Sequence, residues 1–224
     1  MPSLTTENYV KAIYQLSVGE RACAIGNGAI GTGAIAQHLN VSPGSVTAML
    51  KTLRDAELVE YAPYEGVRLS RSGELLALRV LRRHRLIELF LSQTLNLSWD
   101  EVHEEAEHME HAVSDRLIDR IDDFLGHPQA DPHGDPIPRS DGTIEPFAGT
   151  TLAQWPAGKA FRLIRVLDQS SEFLRFLTET GLKLSSVGDV LDHAPHAATT
   201  TVQIQQRTTV LSEQVADKLI VVTP

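Results

Sequence analysis

The sequence predicts a mainly α protein with small β additions: a helical head carrying a hairpin, a helical body and a small C-terminal β-barrel. Three observations carry this reading. Apolar residues recur at helical spacing through most of the first 125 positions, two short β-type runs flank a Pro63-Tyr64-Glu65-Gly66 turn, and β-type runs dominate after residue 158. With 224 residues and 42% hydrophobic composition, the chain can bury more than one core.

Residues 5–18 place Tyr9, Ile13 and Leu16 on one helical face behind a Thr-Thr-Glu start. A Gly-rich stretch from Gly19 to Gly33 follows, then a short helix at Ala34–Leu39 closed by Asn40. Ser42 and Pro43 supply an N-cap and a first-turn proline for a third helix, along which Val46, Met49, Leu50 and Leu53 repeat. Leu58–Tyr61 and Val67–Leu69 form the hairpin. Three helices followed by a hairpin make a winged helix-turn-helix. Ser72-Gly73-Glu74 then opens a long helix to about Gln93, and Ser98-Trp99-Asp100 opens another that the pattern extends to about Leu125. Six of the eleven prolines fall between Pro128 and Pro156, which reads as a linker. Beyond it, strands are expected at Phe161–Leu167, Val187–Leu191, Thr200–Gln205 and Leu219–Val222, with a helix near Ser171–Thr180.

No run approaches the roughly 18 apolar residues needed to span a bilayer, and Met1-Pro2-Ser3-Leu4-Thr5 has no basic-then-apolar signal, so a soluble, cytoplasmic chain with no membrane partner is expected. The single cysteine, Cys23, builds neither an internal disulfide nor a sulfur-rich zinc site. The net charge of −9 is unevenly placed: residues 1–85 hold ten Lys and Arg against seven Asp and Glu, and residues 86–224 hold ten against 22. Local potential governs phosphate contact, so this asymmetry suits a nucleic-acid-binding head on an acidic body.

In a helix-turn-helix the N-terminal end of the second helix meets base edges in the major groove. Ser42, Pro43, Gly44, Ser45 and Thr47 occupy that end, while Lys51, Arg54, Arg68 and Arg71 are placed to meet phosphates. Each alone has an ordinary role, as a helix cap or a surface cation. Their order along the chain is what points to double-stranded DNA.

A second constellation follows at Val102-His103-Glu104-Glu105-Ala106-Glu107-His108-Met109-Glu110-His111. At about 100° per residue, His103, Glu107, Glu110 and His111 share one sector beside an apolar stripe of Val102, Ala106, Met109, Val113 and Leu117. Carboxylates bordering a buried face are costly unless a cation neutralises them. His84 and Glu88 repeat the four-residue spacing on the preceding helix. Oxygen and imidazole donors without sulfur suit Mn²⁺, Fe²⁺ or a similar cation, and zinc accepts the same donors. The plainer alternative is a solvated acidic helix. His108 and Glu105 point away from the sector and are assigned to that alternative.

With these residues assembled, the sequence resembles the DtxR/MntR family of metal-dependent transcriptional repressors. The resemblance runs nearly end to end and is carried by Glu7-Asn8-Tyr9-Val10-Lys11-Ala12-Ile13-Tyr14, Val41-Ser42-Pro43-Gly44-Ser45-Val46-Thr47, Arg83-His84-Arg85-Leu86 and the 102–111 segment. It implies a winged-helix DNA-binding domain at 1–71, a helical metal-binding and dimerisation domain at 72–126, a Pro-rich linker at 127–158 and an SH3-like, FeoA-type β-barrel at 159–224. It also implies a regulatory metal site on Asn8, Glu107, Glu110 and His111 and an ancillary site on His84, Glu88 and His103, with Gln169 and Glu172 as donors from the SH3-like domain. Asn8 stands where iron-type relatives carry Met and manganese-type relatives Asp. Lys11 stands where manganese-type relatives carry a second acidic ligand, and Ala48 stands where some relatives present a base-reading side chain.

The implied function is a metal-activated repressor of metal-homeostasis genes. It would work as a homodimer on operator DNA, with Mn²⁺ or Fe²⁺ as co-repressor in up to two sites per chain and no small organic substrate. On this reading Glu107 and Glu110 repel each other until a cation links them through His111 to Asn8 on the first helix, fixing a pair of recognition helices roughly 34 Å apart. Two rivals come from other classes. A metalloenzyme would need an open coordination position, a general base and a substrate pocket, and the sequence carries no nucleophile motif, phosphate loop or cofactor fingerprint. A redox regulator would rest on Cys23 alone.

Overall fold

The computed structural model describes residues 3–19, 24–25, 29–145 and 148–224. These fall into two compact units: Met1–Arg83 with Glu110–Ala112 and Pro138–Thr143, and His84–Met109 with Val113–Ile137 and Ile144–Pro224. Cys23 lies outside the described residues.

The first unit contains α1 (Leu4–Gly19), β1 (Ala24–Ile25), β2 (Ala29–Ile30), α2 (Thr32–His38), α3 (Pro43–Asp55), β3 (Val59–Ala62) and β4 (Gly66–Leu69). The helical stripes read from the sequence pack together, burying Val10, Ile13, Ile35, Val46, Leu50 and Leu53 against Ile30 and Val67. α3 begins where its cap predicts: the Ser42 side chain accepts from the Ser45 backbone N–H at 3.1 Å, and Pro43 fills the first turn. The wing pairs Val59 with Leu69 and Tyr61 with Val67, and its sheet runs β1-β2-β4-β3. Gly66 is required there, since its φ is +85° and a Cβ would lie 2.9 Å from the Ile30 carbonyl oxygen. The short strands β1 and β2 come from the Gly-rich stretch, where composition signals only a loop.

α4 (Arg71–Leu95) leads into the second unit, which continues with α5 (Val102–Met109) and α6 (Asp115–Leu125). The sequence pattern expects one helix from about residue 98 to 125, and the structure corrects this to two. Ser114 breaks the run by capping α6, its side chain accepting from the Leu117 N–H at 3.3 Å. The apolar stripe crosses the break: Val102, Ala106, Ile118 and Ile121 bury against Leu86, Ile87 and Ile137. Glu110 and His111 therefore lie on the turn after α5.

The remainder adds β5 (Thr150–Thr151), β6 (Ala160–Val166), α7 (Ser171–Thr180), β7 (Val187–Ala194), β8 (Thr199–Ile204), β9 (Arg207–Ser212), α8 (Glu213–Ala216) and β10 (Leu219–Val222). An antiparallel sheet of order β5-β10-β6-β7-β8-β9 encloses Phe161, Leu163, Leu174, Leu177, Val190, Val202 and Val221. β9 escapes sequence reading because its hairpin has no glycine or asparagine. Ile204 pairs with Arg207 across a two-residue loop in which Gln205 and Gln206 hold φ of 48° and 75°. Trp99, ahead of α5, packs on this core and donates its indole N–H to the Thr178 hydroxyl at 3.0 Å. Among the described residues, no helix is long and apolar enough to cross a membrane.

Candidate metal centre and DNA-reading helix

The second unit brings the histidines and carboxylates of α4 and α5 together. His84 and Glu88, one turn apart on α4, approach to 2.9 Å, and His103 of α5 lies 3.1 Å from both the His84 Nε2 atom and the Glu88 Oε1 atom. Glu88 is fully buried, while the His103 side chain is 39% exposed and forms the rim. Glu107, one turn further along α5, stands 3.9 Å from His84 Nδ1.

Two further donors come from the segment that composition marks as a linker. Asp131 and His133 are both buried, at 4% and 0% exposure. Their loop folds around Asp131, whose Oδ1 accepts from the His133 and Asp135 backbone N–H groups at 2.8 and 2.9 Å. The His133 carbonyl accepts from Val166 N–H on β6. Gly134, at φ +86°, allows this approach, since a Cβ there would fall 2.0 Å from the Ile164 carbonyl oxygen. His133 Nε2 binds the Trp99 carbonyl oxygen at 2.7 Å and its ring stacks on the indole, which turns Nδ1 inward.

The result is a set of polar atoms that make no hydrogen bond among the described residues. Glu88 Oε2, Asp131 Oδ2 and His133 Nδ1 are buried without a hydrogen bond, and one donor atom from each residue lies within 4.8 Å of the others. His84, Glu88 and His103 satisfy the same distance criterion, so Glu88 is common to both groups. Burial tends to raise the Glu88 carboxyl, but His84, His103 and His133 outweigh it and hold Glu88 well below the usual carboxylate range. Burial, with the charges of Glu88 and Asp135, pushes Asp131 up to about 7. Burial pulls His133 down, yet the Glu88 carboxylate facing its Nδ1 at 3.8 Å and the charge of Asp131 win and push it up to about 9. Buried polar atoms without partners cost free energy, and a divalent cation satisfies such a donor set, so these residues fit a metal. Asp131 and His133 are absent from the sequence-based assignment; a D-x-H pair in a Pro-rich stretch was the only local signal.

Gln169 lies beside the centre: its amide donates to Asp135 Oδ2 at 3.1 Å, and Asp135 also accepts from Arg85 and Arg165. Glu172 is exposed in the first turn of α7 and belongs to neither group.

The first unit gathers a different set. Glu110 is fully buried and receives the Lys11 ammonium at 2.8 and 2.9 Å through its two oxygens. His111 Nδ1 meets Glu7 Oε2 at 2.6 Å, its Nε2 lies 3.2 Å from Glu110 Oε1, and Arg83 approaches Glu7 at 3.5 Å. Asn8 Oδ1 and His111 Nε2 are buried without a hydrogen bond. Sequence reading singled out Asn8, Glu110 and His111 here but gave Glu7 no role and Lys11 no partner.

On α3, Ser42, Pro43, Gly44 and Ser45 are exposed around the cap, and the Thr47 hydroxyl donates to the Pro43 carbonyl at 3.0 Å. Lys51 and Arg54 are exposed one and two turns further on, with Arg54 paired to Asp55 at 2.9 Å. Arg68 is half-buried on β4, and Arg71 pairs with Glu74 at 3.1 Å.

Comparison with known proteins agrees with both features. Residues 1–67 match the family described as iron dependent repressor, N-terminal DNA binding domain; residues 70–139 match iron dependent repressor, metal binding and dimerisation domain; residues 150–223 match the FeoA domain. The chain is 33% identical to the iron-dependent repressor IdeR of Mycobacterium tuberculosis over 170 residues, 71% of this chain and 70% of that one. It is 28% identical over 199 residues to the diphtheria toxin repressor of Corynebacterium efficiens, covering 84% of this chain and 83% of that protein. A solved manganese-dependent transcriptional repressor in complex with manganese superposes with a TM-score of 0.87 at 35% identity, covering 98% of this chain and 100% of its own. With a DNA-binding domain, a metal-binding and dimerisation domain and a FeoA domain in this order, the chain belongs to the DtxR/IdeR/MntR family of metal-dependent transcriptional repressors.

Proposed function

We propose that this chain is a homodimeric repressor whose operator binding is switched on by Mn²⁺ or Fe²⁺. The observation that carries the reading is the convergence of Glu88 Oε2, Asp131 Oδ2 and His133 Nδ1, three buried donors without hydrogen bonds, next to His84 and His103. All five side chains offer oxygen or imidazole nitrogen, which suits manganese and iron. A bound ion would neutralise the carboxylates and tie α4, α5 and the 131–135 loop together. The second, regulatory set is the one the resemblance implies, Asn8, Glu107, Glu110 and His111. Gln169 acts on the first centre through Asp135; a donor role for Glu172 rests on the resemblance alone.

On the DNA side, Ser42, Pro43, Gly44, Ser45 and Thr47 face the bases, and Lys51, Arg54 and Arg68 meet phosphates. Arg54 reaches a phosphate by giving up Asp55, an exposed exchange that costs little. The dimer face includes α6, where Leu117 and Phe124, two turns apart, are 49% and 68% exposed. The cytoplasm is the compartment where such a regulator meets DNA.

The test is fluorescence anisotropy of a labelled genomic-fragment pool with chelator-treated protein, titrated with Mn²⁺ and then with anaerobic Fe²⁺ at fixed salt. DNA binding should appear only with metal, and the ion effective at lower free concentration, set against its cellular supply, identifies the one sensed. Equal DNA binding with and without either metal would refute the reading.

A further inference from the structure

The two sets of donors differ in what already balances their charge. Around α1, the carboxylates of Glu7 and Glu110 face two permanent cations, Arg83 at 3.5 Å and Lys11 at 2.8 Å. Around Glu88, the cations near the carboxylates are Arg85 and Arg165, each of which reaches Asp135 through one nitrogen. Arg85 reaches Asp131 at 3.7 Å, and among the described residues Glu88 meets imidazoles alone. A divalent ion at the first group must displace a permanent cation from Glu110, whereas in the second group Glu88 faces imidazoles that are themselves metal donors.

Lys11 is the residue that makes this difference. Its side chain is 6% exposed, and its ammonium bridges both oxygens of a carboxylate that is fully buried, the position a metal bound to Glu110 would need. We propose that Lys11 is a built-in cation that lowers the metal affinity of the Asn8, Glu110 and His111 group and so ranks the two centres. The Glu88, Asp131 and His133 group fills first, and Lys11 must release Glu110 before the second group can accept an ion. Unlike a free cation, Lys11 is tethered at high effective concentration, so it imposes a threshold on metal supply. This inference rests on the metal-regulator reading above and adds to it the order of filling and the residue that sets it.

Manganese titrations of the full chain, read by the EPR signal of free Mn²⁺, separate the possibilities. The wild type should show a tight and a weak step. In Lys11→Met the weak step should tighten at least tenfold while the tight step is unchanged, and Lys11→Arg, which keeps the charge, should behave as wild type. Asp131→Asn should remove the tight step. Lys11→Gln provides a second charge-removing variant should the methionine perturb folding, with far-ultraviolet circular dichroism as the check on both. A weak step of wild-type affinity in folded Lys11→Met and Lys11→Gln would overturn the role of Lys11 alone. No Mn²⁺ or Fe²⁺ uptake by the wild type would overturn the metal-regulator reading itself.

Discussion

His133 is held in place by its surroundings before any ion is considered: Trp99 takes its Nε2 and stacks on its ring, the Asp131 carboxylate accepts its backbone N–H, and its Nδ1 is left pointing at Glu88. Such positioning presents a ligand at little conformational cost. The ionisation state of the metal-free centre follows from the raised values of about 9 for His133 and about 7 for Asp131. Both groups hold their proton more tightly folded than unfolded. That contribution is complete below the unfolded values and disappears as pH rises through 7 and then 9. Between pH 6 and pH 8 the metal-free protein should therefore lose stability from this cluster. Over the same interval the rise in Tm on adding Mn²⁺ should grow, because ligands must give up protons to bind. Differential scanning fluorimetry at the two pH values, on wild type and Asp131→Asn, checks this; a metal-induced shift that shrinks toward pH 8 would contradict it. Calorimetry in buffers of different ionisation enthalpy should also register proton release on Mn²⁺ binding. At α3, Ser42→Ala removes the cap hydrogen bond to Ser45 and should lower the unfolding free energy by about 1 kcal/mol in urea denaturation.

At the scale of elements, legibility followed whether the signal was local. α3 was legible because its cap, first-turn proline and apolar period sit within a dozen residues, and α7 because a Ser start and an apolar face agree over Ser171–Thr180. The break between α5 and α6 was hidden since Met109, Val113 and Leu117 keep the helical period across it, so only the Ser114 cap marked the new start. His84, Glu88, His103, Glu107 and His111 were visible from four-residue spacings, and Glu110 from the helical sector shared with the last three. Asp131 and His133 were not, because the loop reaches Glu88 through long-range packing that proline content says nothing about. Lys11 was noted only as a departure, and its pairing with Glu110 spans 99 positions of sequence. α6 offers a separate test. Burying Phe124 or Leu117 fully contributes about 1.5–3 kcal/mol each relative to exposure. Phe124→Ser should thus weaken the proposed dimer at least tenfold in sedimentation equilibrium, while a monomer–dimer constant equal to wild type would place the interface elsewhere.

Over the whole molecule, a head with a surplus of basic residues and a body with a surplus of acidic ones are joined in one chain, and Glu88, His103, Asp131 and His133 belong to the acidic part. The body is where an ion changes the charge balance most, and the head is where DNA is read. If metal and DNA act on one equilibrium, each must strengthen the other by the same factor, commonly about 5- to 150-fold. The most direct measurement is therefore the Mn²⁺ affinity of the full chain with and without its tightest-binding DNA fragment, paired with the DNA affinity with and without Mn²⁺. The account predicts two equal factors well above one in the wild type and factors near one in Asp131→Asn. A Mn²⁺ affinity that DNA leaves unchanged would contradict it.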